Sequence, residues 1–307
     1  MAWDFANELE RYGPRAGDTP MSLAAARSYC ARVTRSHYEN FSVASALLPR
    51  RLVPHFHAVY AYCRWADDLA DETAGGAETL ALIAWWREQL QSCYAGEPRH
   101  PVTIALHETI RRFAIPPEPF LNLLVAFEQD QRVKEYDTFE QLHGYCRNSA
   151  NPVGHLVLYL FERFDPERAA LSDEICTGLQ LANFWQDVAR DRAIGRVYLP
   201  KDDRERLGYS DGDLRSKTCN AAFVELMKFE VARTREFFDR GEPLLARLPL
   251  RARMDVDLFL RGGRAVLDAI KKQNYDVLTK RPVVSKQQKL VLLARAFVKQ
   301  LPARFAK

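Results

Sequence analysis

Apolar residues recur at three- and four-residue spacing along almost the whole chain. The pattern predicts helices over Ser22–Val33, Pro54–Leu69, Thr79–Tyr94, Pro101–Phe113, Glu118–Gln131, Phe139–Phe161, Ser172–Arg190, Ser216–Arg240, Arg251–Gln273 and Lys286–Gln300. Convincing strand-like alternation is absent. The breaks fall at turn-forming runs: "AGG" at 74–76, "GEPRHP" at 96–101, "IPPEP" at 115–119 and "FDPER" at 164–168. "LSDE" at 171–174 reads as a helix N-cap followed by acids. Residues 1–21 read as a loosely ordered N-terminal segment. The stretch Asp191 to Cys219 is long, charged and poor in helical pattern, as a functional lid or site wall often is. No linker is long or polar enough to divide the chain. The expectation is an all-α fold in a single domain over 1–307.

Composition narrows the function more than the fold. The 307 residues are 47% hydrophobic, enough for a large core, and the formal charge of +4 is small for that length. No Lys/Arg tract is dense enough for a nucleic-acid face. The six cysteines lie far apart with no C-x-x-C, which fits reduced thiols in cytoplasm better than disulfides or zinc. His55 and His57, two apart, would diverge on a helix and make poor metal partners. "MAWDFANELERYG" has acids and no apolar stretch, so it does not read as a signal peptide. The apolar run "LVLLARAFV" is too short to span a bilayer and contains Arg295. The expected location is therefore the cytoplasm, with peripheral contact at the inner membrane left open.

Two acidic clusters carry the candidate chemistry. In "VYAYCRWADDLADE" an apolar, aromatic helix runs straight into Asp67, Asp68, Asp71 and Glu72. Asp67 and Asp71 project from one helix face a turn apart, with Arg64 three before Asp67 and Tyr60 a turn earlier. Alone this could be a solvated helix end with an Arg–Asp pair. The second cluster, in "LQLANFWQDVARDRAIGRVYLP", places Gln180, Asn183, Asp187 and Asp191 on one polar stripe of an otherwise apolar helix. Buried carboxylates need partners. Two D-x-x-x-D helices facing one cavity would suit Mg²⁺, which takes oxygen ligands, keeps waters and binds substrate phosphates. Metal beside an apolar, aromatic chamber favours loss of diphosphate from a hydrocarbon substrate, the chemistry of prenyl diphosphates.

The two acidic motifs resemble those of the squalene/phytoene synthase family. "YCRNSANPVG" at 145–154 is similar to its "YC-x-x-VAG-x-VG" helix and "NYDVLTKRPVVSKQQKL" at 274–290 to its closing segment. The resemblance covers nearly everything after about residue 25 and implies an all-α isoprenoid-synthase bundle around a central cavity, with head-to-head prenyl chemistry. By that resemblance Asp67, Asp71, Asn183, Asp187 and Asp191 are Mg²⁺ ligands, with Asp68 as a helper. Tyr60, Arg64 and Gln180 meet the substrate diphosphate, and His37 matches a family histidine near it, with Asn40 beside it where serine is common. Arg281 matches a family basic position, or else is a surface arginine ending a helix. Tyr145 matches a tyrosine that manages proton or charge near the rearranging cation, or else is a core tyrosine with a satisfied hydroxyl.

Departures bear on which reaction is run. Ser149-Ala150-Asn151 replaces "VAG", Gly262-Gly263 stands where other members carry a tyrosine, and Gln186 where arginine is frequent. With "SHYENFSVAS" and "QDQ", this set looks like the bacterial hopanoid-pathway branch that turns presqualene diphosphate into hydroxysqualene, water capturing the cation without NADPH. Alternatives are squalene synthase using farnesyl diphosphate and NADPH, phytoene or dehydrosqualene synthase ending in proton loss, and an inactive member serving as an assembly protein. A scaffold has no need for so many clustered acids. Oligomeric state is not legible from the chain.

Overall fold

The computed structural model describes residues 3–17, 20–36 and 48–284. His37, Asn40 and the repeat expected over Lys286–Gln300 lie outside the described residues. Among the described residues the regular structure is helical, with one isolated parallel bridge between Glu135 and Val197. In chain order the helices are α1 (Phe5–Tyr12), α2 (Leu23–Ser36), α3 (Val53–Asp71), α4 (Gly76–Ala95), α5 (Pro101–Phe113), α6 (Glu118–Asp130) and α7 (Phe139–Ser149). Then follow α8 (Asn151–Leu160), α9 (Pro166–Ala193), α10 (Lys201–Arg206), α11 (Asp211–Ser216), α12 (Ala221–Gly241), a 3-10 segment Glu242–Arg247 and α13 (Leu250–Lys272). The all-α expectation holds.

Four boundaries differ from the sequence pattern, each for a local reason. The N-terminal segment expected to be loose contains α1, capped by the Asp4 side chain on the Asn7 amide, with Phe5 only 2% exposed. The helix expected from Ser172 starts at Pro166, because Asp165 accepts from the Arg168 amide and proline suits the first turn. "LSDE" therefore lies inside α9 rather than at its cap. The repeat expected as one helix over Phe139–Phe161 divides at Ala150, where Pro152 cannot continue the hydrogen-bond ladder of α7 but is tolerated in the first turn of α8. The long connection after Asp191 holds α10 and α11, the latter started by a reciprocal Ser210–Asp213 capping box.

The chain divides into two compact units. The first comprises residues 1–132 and 155–164. Its centre is an aromatic stack in which Trp65 lies 5.3 Å from Trp86 and Tyr62 lies 5.4 Å from Trp86, all nearly parallel. His100 stands edge-on to Trp65 at 4.4 Å, and its Nδ1 accepts from the Val102 amide to cap α5. Burial pushes that imidazole down to about 3, so it is neutral.

The second unit, residues 133–154 and 165–307, is organised around α9, which packs on α12 and α13. Close approach depends on glycine here. An added Cβ at Gly178 would lie 2.8 Å from the Phe238 ring, and one at Gly263 would lie 2.4 Å from it. Phe238 is wholly buried with a glycine of α9 on one side and a glycine of α13 on the other. Phe238 thus fills the space that the missing side chains of Gly178 and Gly263 leave.

An exposed helix normally gains about 1 kcal/mol when glycine becomes alanine. At Gly263 the sign should reverse. Gly263→Ala is expected to lower stability by about 1–3 kcal/mol through overpacking, read as a lower midpoint in thermal or urea unfolding. Gly263→Ala with Phe238→Leu should recover part of the loss, whereas no recovery would mean that the ring is not what the methyl meets.

Candidate active site

In the first unit, α3 ends in Asp67, Asp68 and Asp71 with no basic residue in its last turn. Acids at a helix C-terminus oppose the macrodipole, so the cluster requires a cation from elsewhere. Arg64 supplies one. Its Nη1 donates to Asp67 Oδ2 at 2.9 Å, its Nη2 pairs with Asp68 Oδ1, and Nη2 also reaches Glu72 Oε1 at 3.2 Å. Asp68 is fully buried and accepts a further bond, 2.9 Å, from Trp3 Nε1. Asp67 keeps 41% of its side chain open. Its carboxyl is nonetheless pushed up to about 6, by desolvation first and by Asp71 and Asp68 against the opposing pull of Arg64. Asp71 is exposed at the helix end. Tyr60 is half-buried, and loss of water raises its hydroxyl pKa while Arg64 opposes the shift.

In the second unit, the stripe predicted from spacing lies on α9. Gln180 is half-buried, Asn183 is exposed and Asp187 is buried. Asp187 is held by a two-pronged arginine: Arg281 Nε donates to Oδ1 at 2.5 Å and Nη2 to Oδ2 at 2.9 Å. Arg190 adds a looser contact at 3.6 Å. One turn on, Asp191 has a buried Oδ2 without a hydrogen-bond partner. Desolvation, then repulsion from Asp187, raise Asp191 to about 7 although Arg196, Arg190 and Arg281 pull it down.

An aromatic cluster adjoins the stripe. Phe184 stacks on Tyr198 at 3.8 Å, and Tyr136 stacks on the same tyrosine at 5.9 Å. Tyr145 completes the group, 6.1 Å from Phe184 and 5.8 Å from Tyr136, and is 5% exposed. The backbone bond from Val197 N to Lys134 O, 2.7 Å, fixes the segment that presents Tyr198. A cavity of about 10 Å³, space for roughly one water, is lined by Phe184, Val188, Asp191, Arg196 and Tyr198. The two polar departures in "SANPVG" have different fates. Asn151 Oδ1 accepts from Thr177 Oγ1 at 3.0 Å, whereas Ser149 Oγ is buried with no partner.

The donor set fits a hard divalent cation. Asp191 has a desolvated oxygen that nothing satisfies, and Asp187 has a ready-made cation on it, which is what carboxylates do when positive charge is required. Among the described residues no three acidic, histidine or cysteine groups converge to hold an ion by themselves. Asp68 is different. It is sealed from solvent and committed to Trp3 and Arg64, so its position is that of a group that sets Arg64 rather than an open ligand. Trp3 lay in the segment expected to be loose. Its signal was present as "WDF" ahead of an acidic first turn, two aromatics that have no reason to stand in a disordered tail.

The squalene/phytoene synthase family model matches residues 34–288. Among curated proteins, a phytoene synthase of Arthrospira platensis is 31% identical over 299 residues, covering 93% of this chain and 96% of the relative. Among solved structures, the squalene synthase HpnC from Alicyclobacillus acidocaldarius is 45% identical with a TM-score of 0.80, covering 84% of this chain and 98% of that one. A dehydrosqualene synthase in complex with ligand is 26% identical with a TM-score of 0.82, over 90% and 97% of the two chains.

The contrast between Asp68 and Asp71 is measurable. Asp68→Ala leaves Arg64 short of a buried partner and Trp3 without an acceptor, and is expected to cost about 3 kcal/mol of folding stability. Asp71→Ala, at an exposed helix end, should change stability by less than about 0.5 kcal/mol. Chemical unfolding of the two variants side by side checks this, and equal losses would remove the distinction.

Proposed function

The chain belongs to the squalene/phytoene synthase family, enzymes that act on prenyl diphosphates, and we propose that it converts presqualene diphosphate to hydroxysqualene, with water capturing the carbocation. The observation that carries the squalene branch over the phytoene branch is the 45% identity to the squalene synthase HpnC, against 31% to a phytoene synthase and 26% to a dehydrosqualene synthase. The "SANPVG" helix supports the aqueous ending: Ser149 Oγ is a buried hydroxyl with no protein partner, the type of group that takes up an ordered water. A second reading, head-to-head condensation ended by proton loss, has the phytoene synthase relatives in its favour.

In the proposed mechanism Asp67 and Asp71 on α3, and Asn183, Asp187 and Asp191 on α9, are the oxygen donors for Mg²⁺. Bound there, Mg²⁺ supplies neutralisation of the diphosphate leaving group. Tyr60, Arg64, Gln180 and Arg281 orient the diphosphate by charge and hydrogen bonding, the arginines giving up carboxylate contacts to do so. The carbon–oxygen bond to diphosphate breaks with both electrons leaving on oxygen. The resulting cation rearranges, and the faces of Tyr145, Phe184 and Tyr198 offer the electron density that tolerates positive charge without reacting. Water then bonds to carbon and releases one proton, so no reductant is consumed. The protein would act in the cytoplasm. No helix among the described residues is long and apolar enough to cross a membrane.

Incubation with presqualene diphosphate and Mg²⁺ in oxygen-18-labelled water, without NADPH, tests the assignment. A labelled thirty-carbon alcohol is the expected product. Squalene formed solely when NADPH is added, or a hydrocarbon formed by proton loss, would replace this reading. Asp67→Ala and Asp187→Ala should each abolish turnover with helical content near wild type, and wild-type-like turnover at limiting Mg²⁺ would exclude them as ligands.

Protons should compete with the metal. A carboxylate must be ionised to ligate, and Asp67 and Asp191 are raised to about 6 and about 7. The Mg²⁺ concentration for half-maximal activity is therefore expected to rise about twentyfold in all as pH falls from 8 to 6, most of it below pH 7. A flat profile over that window would mean that these two carboxyls do not bind the ion.

A further inference from the structure

The amide of Gln186 makes two contacts that no arginine in its place could make together. Its Oε1 accepts from Arg281 Nη2 at 3.2 Å, and its Nε2 donates to the carbonyl of Pro282 at 2.6 Å. Both ends of one side chain thus fix two consecutive residues that lie more than ninety positions further along the chain. The same Nη2 also donates to Asp187 Oδ2 at 2.9 Å, and Nε donates to Asp187 Oδ1 at 2.5 Å. Asp187 is buried and Arg281 remains 40% exposed. The pair therefore has a closed side, facing α9, and an open side from which an ion or anion can approach. An arginine at 186 would have no acceptor for Arg281 and would repel it.

We propose that Gln186 is a positioning residue that holds Arg281 on Asp187 as a resident counter-charge, which a divalent cation must displace and which an incoming diphosphate then takes up. The proposal rests on the assignment of Asp187 as a metal ligand. It adds an order to the chemistry: Arg281 opposes the ion while diphosphate is absent and favours it once diphosphate is present. Metal and substrate loading are thereby coupled through one guanidinium, because its attraction for Asp187 is transferred to an anion that arrives with the ion. Neither contact of Gln186 requires the metal, so the amide acts on Arg281 and the adjoining Pro282 carbonyl and not on the ion.

The experiment measures Mn²⁺ binding by the loss of its free electron paramagnetic resonance signal, first with protein alone and then with inorganic pyrophosphate. Wild type, Arg281→Gln, Gln186→Ala, Gln186→Arg and Asp187→Asn are compared, each checked for folding by circular dichroism. Without pyrophosphate, Arg281→Gln is expected to bind Mn²⁺ about tenfold tighter than wild type, and Gln186→Ala several-fold tighter. With pyrophosphate the order should invert, Arg281→Gln becoming about tenfold weaker. Gln186→Arg should follow Gln186→Ala, and Asp187→Asn should lose an ion under both conditions. Unchanged or weaker binding by Arg281→Gln without pyrophosphate, while Asp187→Asn still loses an ion, would overturn the clamp and leave the metal assignment standing. Equal Mn²⁺ binding by wild type and Asp187→Asn under both conditions, or no binding by either, would overturn the metal assignment and the clamp together.

Discussion

Like charges brought out of water must be compensated, and in this protein that requirement shapes both ends of the chemistry. Asp67, Asp68, Asp71 and Glu72 gather at the C-terminus of α3, where the helix dipole already opposes them. Asp187 and Asp191 stand a turn apart on α9, with desolvation raising the second to about 7. In each unit an arginine answers: Arg64 on the first set and Arg281 on the second. Neither pair is a surface ornament of negligible energy. Asp68 and Asp187 are buried, so removing an arginine would strand a charge in low dielectric.

The same compensation makes the acids useful. A carboxylate that can exchange an arginine for another cation at little net cost is a better reversible ligand than one left bare, which would protonate instead. The open oxygens differ in kind. Asp67 retains solvent access on one side. Asp191 keeps a buried, partnerless oxygen beside a cavity of water size. Arg64 and Arg281 are also donors of the type that grips phosphate.

The remainder of the second unit positions this chemistry. α9 bears the polar stripe on one face and must be gripped rigidly on the others. Trp185 donates to Thr234 of α12 at 2.7 Å, and Phe238 of α12 fills the space opened by Gly178 and Gly263. Tyr136, Tyr145, Phe184 and Tyr198 interlock beside the acids. Close packing of this kind keeps water away from most of the ring faces.

The sequence alone determined what depends on local spacing. Helical periodicity located the principal described helices, since the period is a property of the backbone, and it put Gln180, Asn183, Asp187 and Asp191 on one stripe. The acidic end of α3 was equally legible, as were the breaks at glycine and proline. Cap chemistry was read less well: Asp165 with Pro166 outcompeted "LSDE", and Pro152 divided a repeat that periodicity alone ran together. Tertiary structure decided which polar groups remain open. Asp68 is closed by Trp3, 65 positions away, and Asp187 is clasped by Arg281, 94 positions away. Asn151 turns to Thr177 while Ser149 is left without a partner. Such pairings join residues remote in the chain, and periodicity, which reports only which face a residue occupies, carries no information about what packs against that face.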